Sequence, residues 1–272
     1  MAQKHVVIGK KIQISPWIVT GACALLYLGL FALLVFLPGG SLMDRLRWLV
    51  SGICAQMPTH SFYPGGERLP LCARNTGIYL GFMVTLLTLY ACGRGRVQRL
   101  PSKSIIIVLG GGIAALTIDG LNSLALDLGL PHLYQPNNLL RLGTGFATGL
   151  ALAAFTLPLL NRLFWCEFNE QRSLASWGDA LRFLPVLVVC FFAVASQSAL
   201  GLYPIALLST AGVLMALSCV NLICLVSISK RDESFTHYRE LLPFFSVAFL
   251  LAIAELLLLA QLKFSILHAF GL

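Results

Sequence analysis

Seven apolar stretches, each long enough to cross a lipid bilayer, constrain this chain more than any other feature of its sequence. A transmembrane helix needs about 20 predominantly apolar residues, and a helix satisfies its own backbone hydrogen bonds in lipid. The stretches lie near residues 17–37, 70–92, 104–126, 139–160, 181–199, 203–228 and 241–262. The sequence therefore predicts an all-α, polytopic transmembrane helix bundle of about seven spans, with no soluble domain of its own.

The composition agrees with a location in the membrane. Only 11% of the 272 residues are charged and the mean hydropathy is +0.84, whereas soluble domains are about one quarter charged. The net charge of +8 lies mostly in short loops beside apolar stretches, where basic residues set topology and contact anionic lipids. We therefore expect membrane lipids as partners and no nucleic acid, and the sequence predicts no particular oligomeric state.

The distribution of Lys and Arg predicts the orientation. The first apolar stretch follows Lys4, Lys10 and Lys11 and is too long for a cleavable signal sequence, so we expect an uncleaved signal anchor. With spans alternating in direction, thirteen of the seventeen Lys and Arg residues outside the spans fall on the side of the N-terminus. Cytoplasmic loops carry this excess. We expect a plasma-membrane protein with its N-terminus in the cytoplasm and its C-terminus outside.

Segment 41–62 has a different pattern from the spans. Its apolar residues share one helical face and its other residues include three charges. These are Leu42, Leu46, Leu49 and Ile53 on the apolar face, and Asp44, Arg45 and Arg47 as the charges. This pattern predicts an amphipathic helix at the membrane interface. We expect residues 1–160 to form an N-terminal membrane core that includes this helix, and residues 161–272 to form an added three-span bundle.

Polar residues within the membrane are costly, and those of this chain form four groups. On the predicted topology all four lie at the extracytoplasmic ends of their spans, which indicates a binding site between helices. The groups are Cys54, Gln56, His60 and Ser61; Cys72, Arg74, Asn75 and Thr76; Asp119, Asn122 and Ser123; and Asn137, Asn138, Arg141 and Thr144.

Arg74 and Arg141 have two interpretations. In the structural one, each pairs with Asp119 and so compensates a buried charge. In the functional one, Asp127 lies in the loop after span three, so two arginines face one aspartate and leave a positive surplus that binds a lipid phosphate or a carboxylate. The candidate ligand-binding residues are Arg74, Asp119, Asn137, Asn138, Arg141 and Gln56, and the sequence identifies no catalytic residue.

Small residues predict that the spans carrying these arginines pack closely. Span two contains Gly77 and Gly81, and span four contains Gly145, Gly149 and Ala153, each at intervals of four residues. Such ridges let the backbones of two helices approach each other in lipid. We therefore expect spans two and four to be neighbours.

Several motifs resemble a known prokaryotic integral-membrane family, domain of unknown function 2085. The resemblance covers about residues 50–155. It rests on four segments: Cys-Ala-Gln at 54–56, Cys-Ala-Arg at 72–74 followed by Thr-Gly-Ile-Tyr at 76–79, residues 118–120 and residues 136–145. The family pattern has Cys-His-Gln and Cys-Ala-Arg-Cys, so Ala55 replaces a His and Asn75 replaces a second Cys. The resemblance implies a membrane fold and a site, but no known reaction. We also expect a bacterial source.

Cys54 and Cys72 face an oxidising compartment on the predicted topology and have three interpretations. They form a disulfide, remain as two packed thiols, or bind a metal ion with His60, since Cys, His and Asp are zinc ligands. The two replaced Cys and His positions of the family weaken the metal interpretation. No cofactor is expected, because none of the His residues falls within a span core, where a haem needs its axial ligands.

Three classes of function follow from these observations. The first is a protein that handles a lipid or a small anion at the outer leaflet, which we favour. The second is a redox or metal-handling protein that uses the thiols. The third is a non-catalytic subunit or scaffold of a membrane complex.

Overall fold

The structure, a computed structural model, describes residues 15–269, so Lys4, Lys10 and Lys11 lie outside the described residues. Within that range the chain forms eight α-helices and no strand, which confirms the predicted all-α fold class. They are α1 (Pro16–Phe36), α2 (Leu42–Val50), α3 (Ala73–Ala91), α4 (Lys103–Asp127), α5 (Asn138–Phe164), α6 (Trp177–Ala195), α7 (Leu202–Ile228) and α8 (Tyr238–Ala269).

Six of the described helices, α1 and α4 to α8, are long and apolar enough to cross a bilayer. The seventh long helix, α3, has 19 residues and opens with Arg74, Asn75 and Thr76, which lower its hydropathy. It packs between α5 and α7, so protein rather than lipid covers most of its surface. The chain is a multi-pass membrane protein, as predicted.

The amphipathic helix is present but shorter than predicted. Helix α2 begins with a capping box, in which the Ser41 hydroxyl accepts a hydrogen bond from the Asp44 amide at 3.1 Å and Asp44 accepts one from the Ser41 amide. Leu46 and Leu49 are buried, in agreement with the predicted apolar face. The helix ends at Val50, and the chain continues as a loop with short 3₁₀ turns that start at prolines 58 and 64. Proline removes an amide donor and disfavours a continuing helix.

Helices α3 and α5 form the centre of the bundle through their glycines. A Cβ atom added to Gly77 would collide with the carbonyl oxygen of Leu142, and one added to Gly149 would collide with that of Ile78. These contacts are with backbone atoms, which cannot move aside as a side chain can. The predicted close packing of spans two and four is confirmed.

The C-terminal helices surround this centre. Helix α6 packs on α3 and α5, α7 packs on α3 and α8, and α8 packs on α1. The Ser246 hydroxyl of α8 donates to the Ala22 carbonyl at 3.1 Å, and Gly29 lies against Leu250 further along both helices. Helices α1 and α8 therefore run in the same direction, and residues 16 and 269 lie at opposite ends of the bundle. The division of the chain near residue 160, and which membrane face each end occupies, stay predictions.

Candidate functional site

Arg74 and Asp119 form an ion pair between the first turn of α3 and α4. The Arg74 Nη2 atom donates to Asp119 Oδ2 at 2.7 Å and to the Asp119 carbonyl oxygen at 3.2 Å. Asp119 is almost completely buried, and its Oδ1 atom accepts a hydrogen bond from the Tyr134 hydroxyl at 3.0 Å. A buried carboxylate needs such charged and neutral donors to offset its lost hydration.

Arg141, in the first turn of α5, has no such carboxylate partner. Its side chain donates to Asn138 Oδ1 at 2.9 Å and to the Ser123 hydroxyl at 3.3 and 3.4 Å. Arg74 Nη2 donates to the same Ser123 hydroxyl at 3.1 Å. Within residues 15–269 no Asp or Glu lies within ion-pair distance of Arg141. The two guanidinium groups therefore meet at one serine, and only Arg74 makes the expected pair with Asp119.

The loop between α4 and α5 is held by Asn122. The Asn122 Oδ1 atom accepts the amides of Leu133 and Tyr134 at 2.7 and 3.3 Å, and its Nδ2 atom donates to the Tyr134 carbonyl at 2.8 Å. This arrangement brings the Tyr134 hydroxyl to Asp119. Sequence reasoning missed Tyr134, because helical periodicity does not predict how a loop folds back.

Asn137 and Asn138 are both used within the fold. Asn137 caps α5 by accepting the Leu140 amide at 2.7 Å, the usual role of Asn before a helix. Asn138 donates to the carbonyls of Thr59 and Ser61 at 3.2 Å each, which joins α5 to the loop after α2. Asn138 thus lies beside Arg141 as predicted, but neither Asn137 nor Asn138 lines the cavity described next. Their roles in binding stay predictions.

A cavity of 310 Å³ lies between the loop after α2, the start of α3 and the end of α4. Arg74 lines it, and the buried Arg74 Nε atom has no hydrogen-bond partner among the described residues. Gln56 also lines the cavity, but its amide nitrogen donates to the carbonyls of Arg47 and Pro70 at 2.7 and 2.8 Å. Other lining residues are Cys54, His60, Cys72, Ser123 and Asp127.

The position of Asp127 shows that the predicted charge balance of the site was wrong. The argument for a positive surplus required Asp127 to lie in the loop, but it is the last residue of α4 and lines the cavity. It lies 3.3 Å from the His60 ring. Burial and the charge of Arg141 lower the pKa of His60, although Asp127 opposes this effect. The positive surplus is therefore confined to the place where Arg74 and Arg141 meet Ser123. Arg74 and Ser123 line the cavity, whereas Arg141 and Asp119 are buried behind them and do not line it.

Cys54 and Cys72 lie in contact at the edge of this cavity. The Cys72 amide donates to Cys54 Sγ at 3.3 Å, and both thiols are free. The hydrogen bond from the Cys72 thiol lowers the pKa of Cys54 to about 6. Among residues 15–269 no group of three or more His, Cys, Asp or Glu could hold a metal ion. The thiols are thus placed together as predicted, and a disulfide between them stays a prediction.

Comparison with known proteins shows that this site lies in a segment that the chain shares with a protein family. The family described as a predicted membrane protein, DUF2085, matches residues 54–155. A protein of Methanothermobacter thermautotrophicus is 30% identical over 107 residues, which are 39% of this chain and 86% of the relative. This chain belongs to the DUF2085 family. A Methanocaldococcus jannaschii protein is 29% identical over 117 residues, 43% of this chain and 69% of the relative.

The DUF2085 segment runs from the loop after α2 to the middle of α5 and contains every residue of the site described above. Both relatives are described as uncharacterized and both are archaeal, so they do not support the expected bacterial source. No solved structure matches the chain. Ala55 and Asn75, which replace the family's His and second Cys, line the same cavity as Cys54 and Cys72.

Proposed function

We propose that this multi-pass membrane protein binds an anionic group, either a lipid head group or a small anion, in the cavity lined by Arg74. One observation carries the proposal. Arg74 and Arg141 both donate to the Ser123 hydroxyl, and a single buried carboxylate, that of Asp119, lies beside them. On the predicted topology this cavity faces the extracytoplasmic side of the plasma membrane.

Electrostatics supports an anion at this position. Two like charges that share one hydroxyl repel each other, and the repulsion is stronger away from water. Asp119 compensates one of them directly, and the other relies on the neutral partners Asn138 and Ser123. A phosphate or carboxylate oxygen would supply both the missing negative charge and an acceptor for Arg74 Nε.

Thermal unfolding of the purified protein tests the proposal, because a ligand that binds the folded state raises the melting temperature. The probes are inorganic phosphate and vesicles or micelles containing phosphatidylglycerol, with phosphatidylcholine as the neutral comparison. We expect Arg141→Gln to weaken binding by about tenfold or more, and Asp127→Asn to strengthen it by removing an opposing charge. Arg182→Gln, an exposed arginine at the other end of the bundle, serves as the control for net charge.

Misfolding would weaken binding in both Arg141→Gln and Asp127→Asn. A loss of affinity in the first variant and a gain in the second therefore indicate an effect on binding itself. Stabilisation by phosphate alone identifies a small anion, and stabilisation by phosphatidylglycerol alone identifies a lipid head group. If neither probe stabilises the wild type, or if Arg182→Gln weakens binding as much as Arg141→Gln, the site does not bind anions. Asp119→Asn should lower the ligand-free melting temperature more than Arg141→Gln, because it leaves both guanidinium groups without a carboxylate.

The contact between Cys54 and Cys72 favours a second candidate function. Two such thiols, one with a pKa of about 6, can be oxidised reversibly to a disulfide by exchange with an external disulfide, which is reduced to two thiols in the same reaction. A redox role of this pair fits the residues better than a metal-handling role, since two family Cys and His positions are replaced here. The scaffold hypothesis becomes the first choice if the anion and the thiol tests both fail.

A further inference from the structure

A second cavity, of 370 Å³, lies at the opposite end of the bundle from Arg74. It is formed by the loop after α3, the end of α5 and the loop after α5. Three arginines line it and no Asp or Glu does, and the rest of its wall is mostly apolar. The arginines are Arg99, Arg162 and Arg172, and the apolar residues are Leu100, Pro158, Leu159 and Phe168.

The backbone holds two of these arginines side by side. Arg99 and Arg172 face each other across a single parallel β-bridge. The Arg99 amide donates to the Gln171 carbonyl at 3.1 Å, and the Ser173 amide donates to the Arg99 carbonyl at 3.0 Å. Like charges opposite each other destabilise such a pairing. The arrangement must therefore be supported by other interactions.

Buried amide groups supply that support. Asn161 donates to the carbonyls of Gly95 and Val97 at 3.0 and 2.9 Å, and Gln98 donates to the Glu167 carbonyl at 2.9 Å. Pro158 has no amide to donate to Ala154, and the buried Ser173 hydroxyl donates to that carbonyl instead at 2.9 Å. These bonds fix both loops to α5, so the arginine cluster is built into the fold.

Little negative charge balances the cluster. Arg99 pairs with Glu170 at 3.3 Å, but the Glu170 side chain is 75% exposed, and exposed pairs contribute about 0–1 kcal/mol. Arg172 donates to the carbonyls of Leu100 and Pro101. Arg162 makes no hydrogen bond or ion pair with any residue between 15 and 269. The cluster thus holds a surplus of positive charge beside an apolar wall.

We propose that this cavity binds an anionic phospholipid, with its phosphate among Arg99, Arg162 and Arg172 and an acyl chain along Leu159. Leu159 is 54% exposed and lies on α5 less than one turn before Arg162, so the apolar wall continues onto the lipid-facing surface of the bundle. Basic pockets beside transmembrane helices are suited to anionic head groups, and a guanidinium group matches the geometry of a phosphate.

Native mass spectrometry with phosphatidylglycerol and phosphatidylcholine tests this inference by counting bound lipids as their concentration rises. We expect the wild type to prefer phosphatidylglycerol, and Arg162→Gln to weaken that binding by about fivefold or more. Arg162→Lys keeps the charge and should retain part of the affinity. Arg239→Gln, an exposed arginine at the same end of the bundle and outside this cavity, is the matched control and should change the affinity by less than about twofold.

Equal losses for Arg162→Gln and Arg239→Gln would overturn the proposal, because they would indicate general attraction to a basic surface. If millimolar inorganic phosphate displaced phosphatidylglycerol, the ligand of this cavity would be a free anion and not a lipid, which would contradict the proposal. Arg162→Gln should cause the same loss of phosphatidylglycerol when both compared proteins also carry Arg141→Gln, which weakens any contribution from the cavity at the other end of the bundle. The outcome is therefore independent of the function proposed above.

Discussion

At the scale of single residues, Ser123 connects the charges of the candidate site. Its hydroxyl accepts hydrogen bonds from Arg74 and from two atoms of Arg141. A serine oxygen has two lone pairs, so three donors within 3.4 Å exceed what it can satisfy fully. This shortage of acceptors, together with the unpartnered Arg74 Nε atom, is the chemical reason to expect an additional oxygen ligand nearby.

Cys54 provides a prediction with a clear pH dependence. Its pKa is lowered to about 6 by the hydrogen bond from Cys72, so its thiolate predominates above about pH 6, whereas an ordinary thiol titrates near 8.5. Alkylation by iodoacetamide should therefore reach half its maximal rate near pH 6 in the wild type. Cys72→Ala removes the hydrogen bond and should move this midpoint upward by at least about one unit. Mass spectrometry resolved to the Cys54 peptide measures the rate, and identical midpoints in the two proteins would contradict the assignment.

At the scale of elements, the sequence predicted the extent of the long helices better than that of the short helix α2. Apolar runs as long as a bilayer is thick predicted α1 and α3 to α8 to within several residues, because lipid requires about 20 apolar residues whatever the tertiary contacts. The extent of α2 was overestimated, since the apolar pattern continued to Ile53 whereas the helix ends at Val50. The central position of α3 followed only from its glycines, since α3 is the long helix that is not apolar enough to count among the six candidate spans of the described residues.

The contact between α3 and α5 predicts different outcomes for two neighbouring glycines. A Cβ atom at Gly145 would collide with the Arg74 carbonyl oxygen and press on Gly77, whereas one at Gly143 would meet only a Phe191 ring carbon at 3.7 Å. Gly145→Ala should therefore destabilise the protein by about 1–3 kcal/mol and weaken anion binding, because Arg74 and Arg141 move apart. Gly143→Ala should be neutral or stabilise by up to about 1 kcal/mol. Thermal unfolding in detergent compares them, and equal effects would contradict the close packing.

At the scale of the whole molecule, the alternation of spans predicted the convergence of the site. Because neighbouring spans reverse direction, the polar starts of α3 and α5 and the polar end of α4 had to lie at one end of the bundle. The choice of partners was not predictable, since it depends on loops. The loop that Asn122 holds brings the Tyr134 hydroxyl to Asp119. Helix α4 extends one residue beyond the predicted span and thereby places Asp127 at the cavity.

The central claim is that the cavity beside Arg74 holds an anion, and an experimental structure of the wild type in lipid nanodiscs tests it most directly. Mass spectrometry of the molecules that copurify with the protein identifies the chemical class of any bound density. The account predicts density for a phosphate or carboxylate within about 3 Å of the Arg74 guanidinium, with Arg141 directed toward Ser123. A cavity that holds only water, with Arg74 or Arg141 extended into the lipid head-group layer, would contradict it.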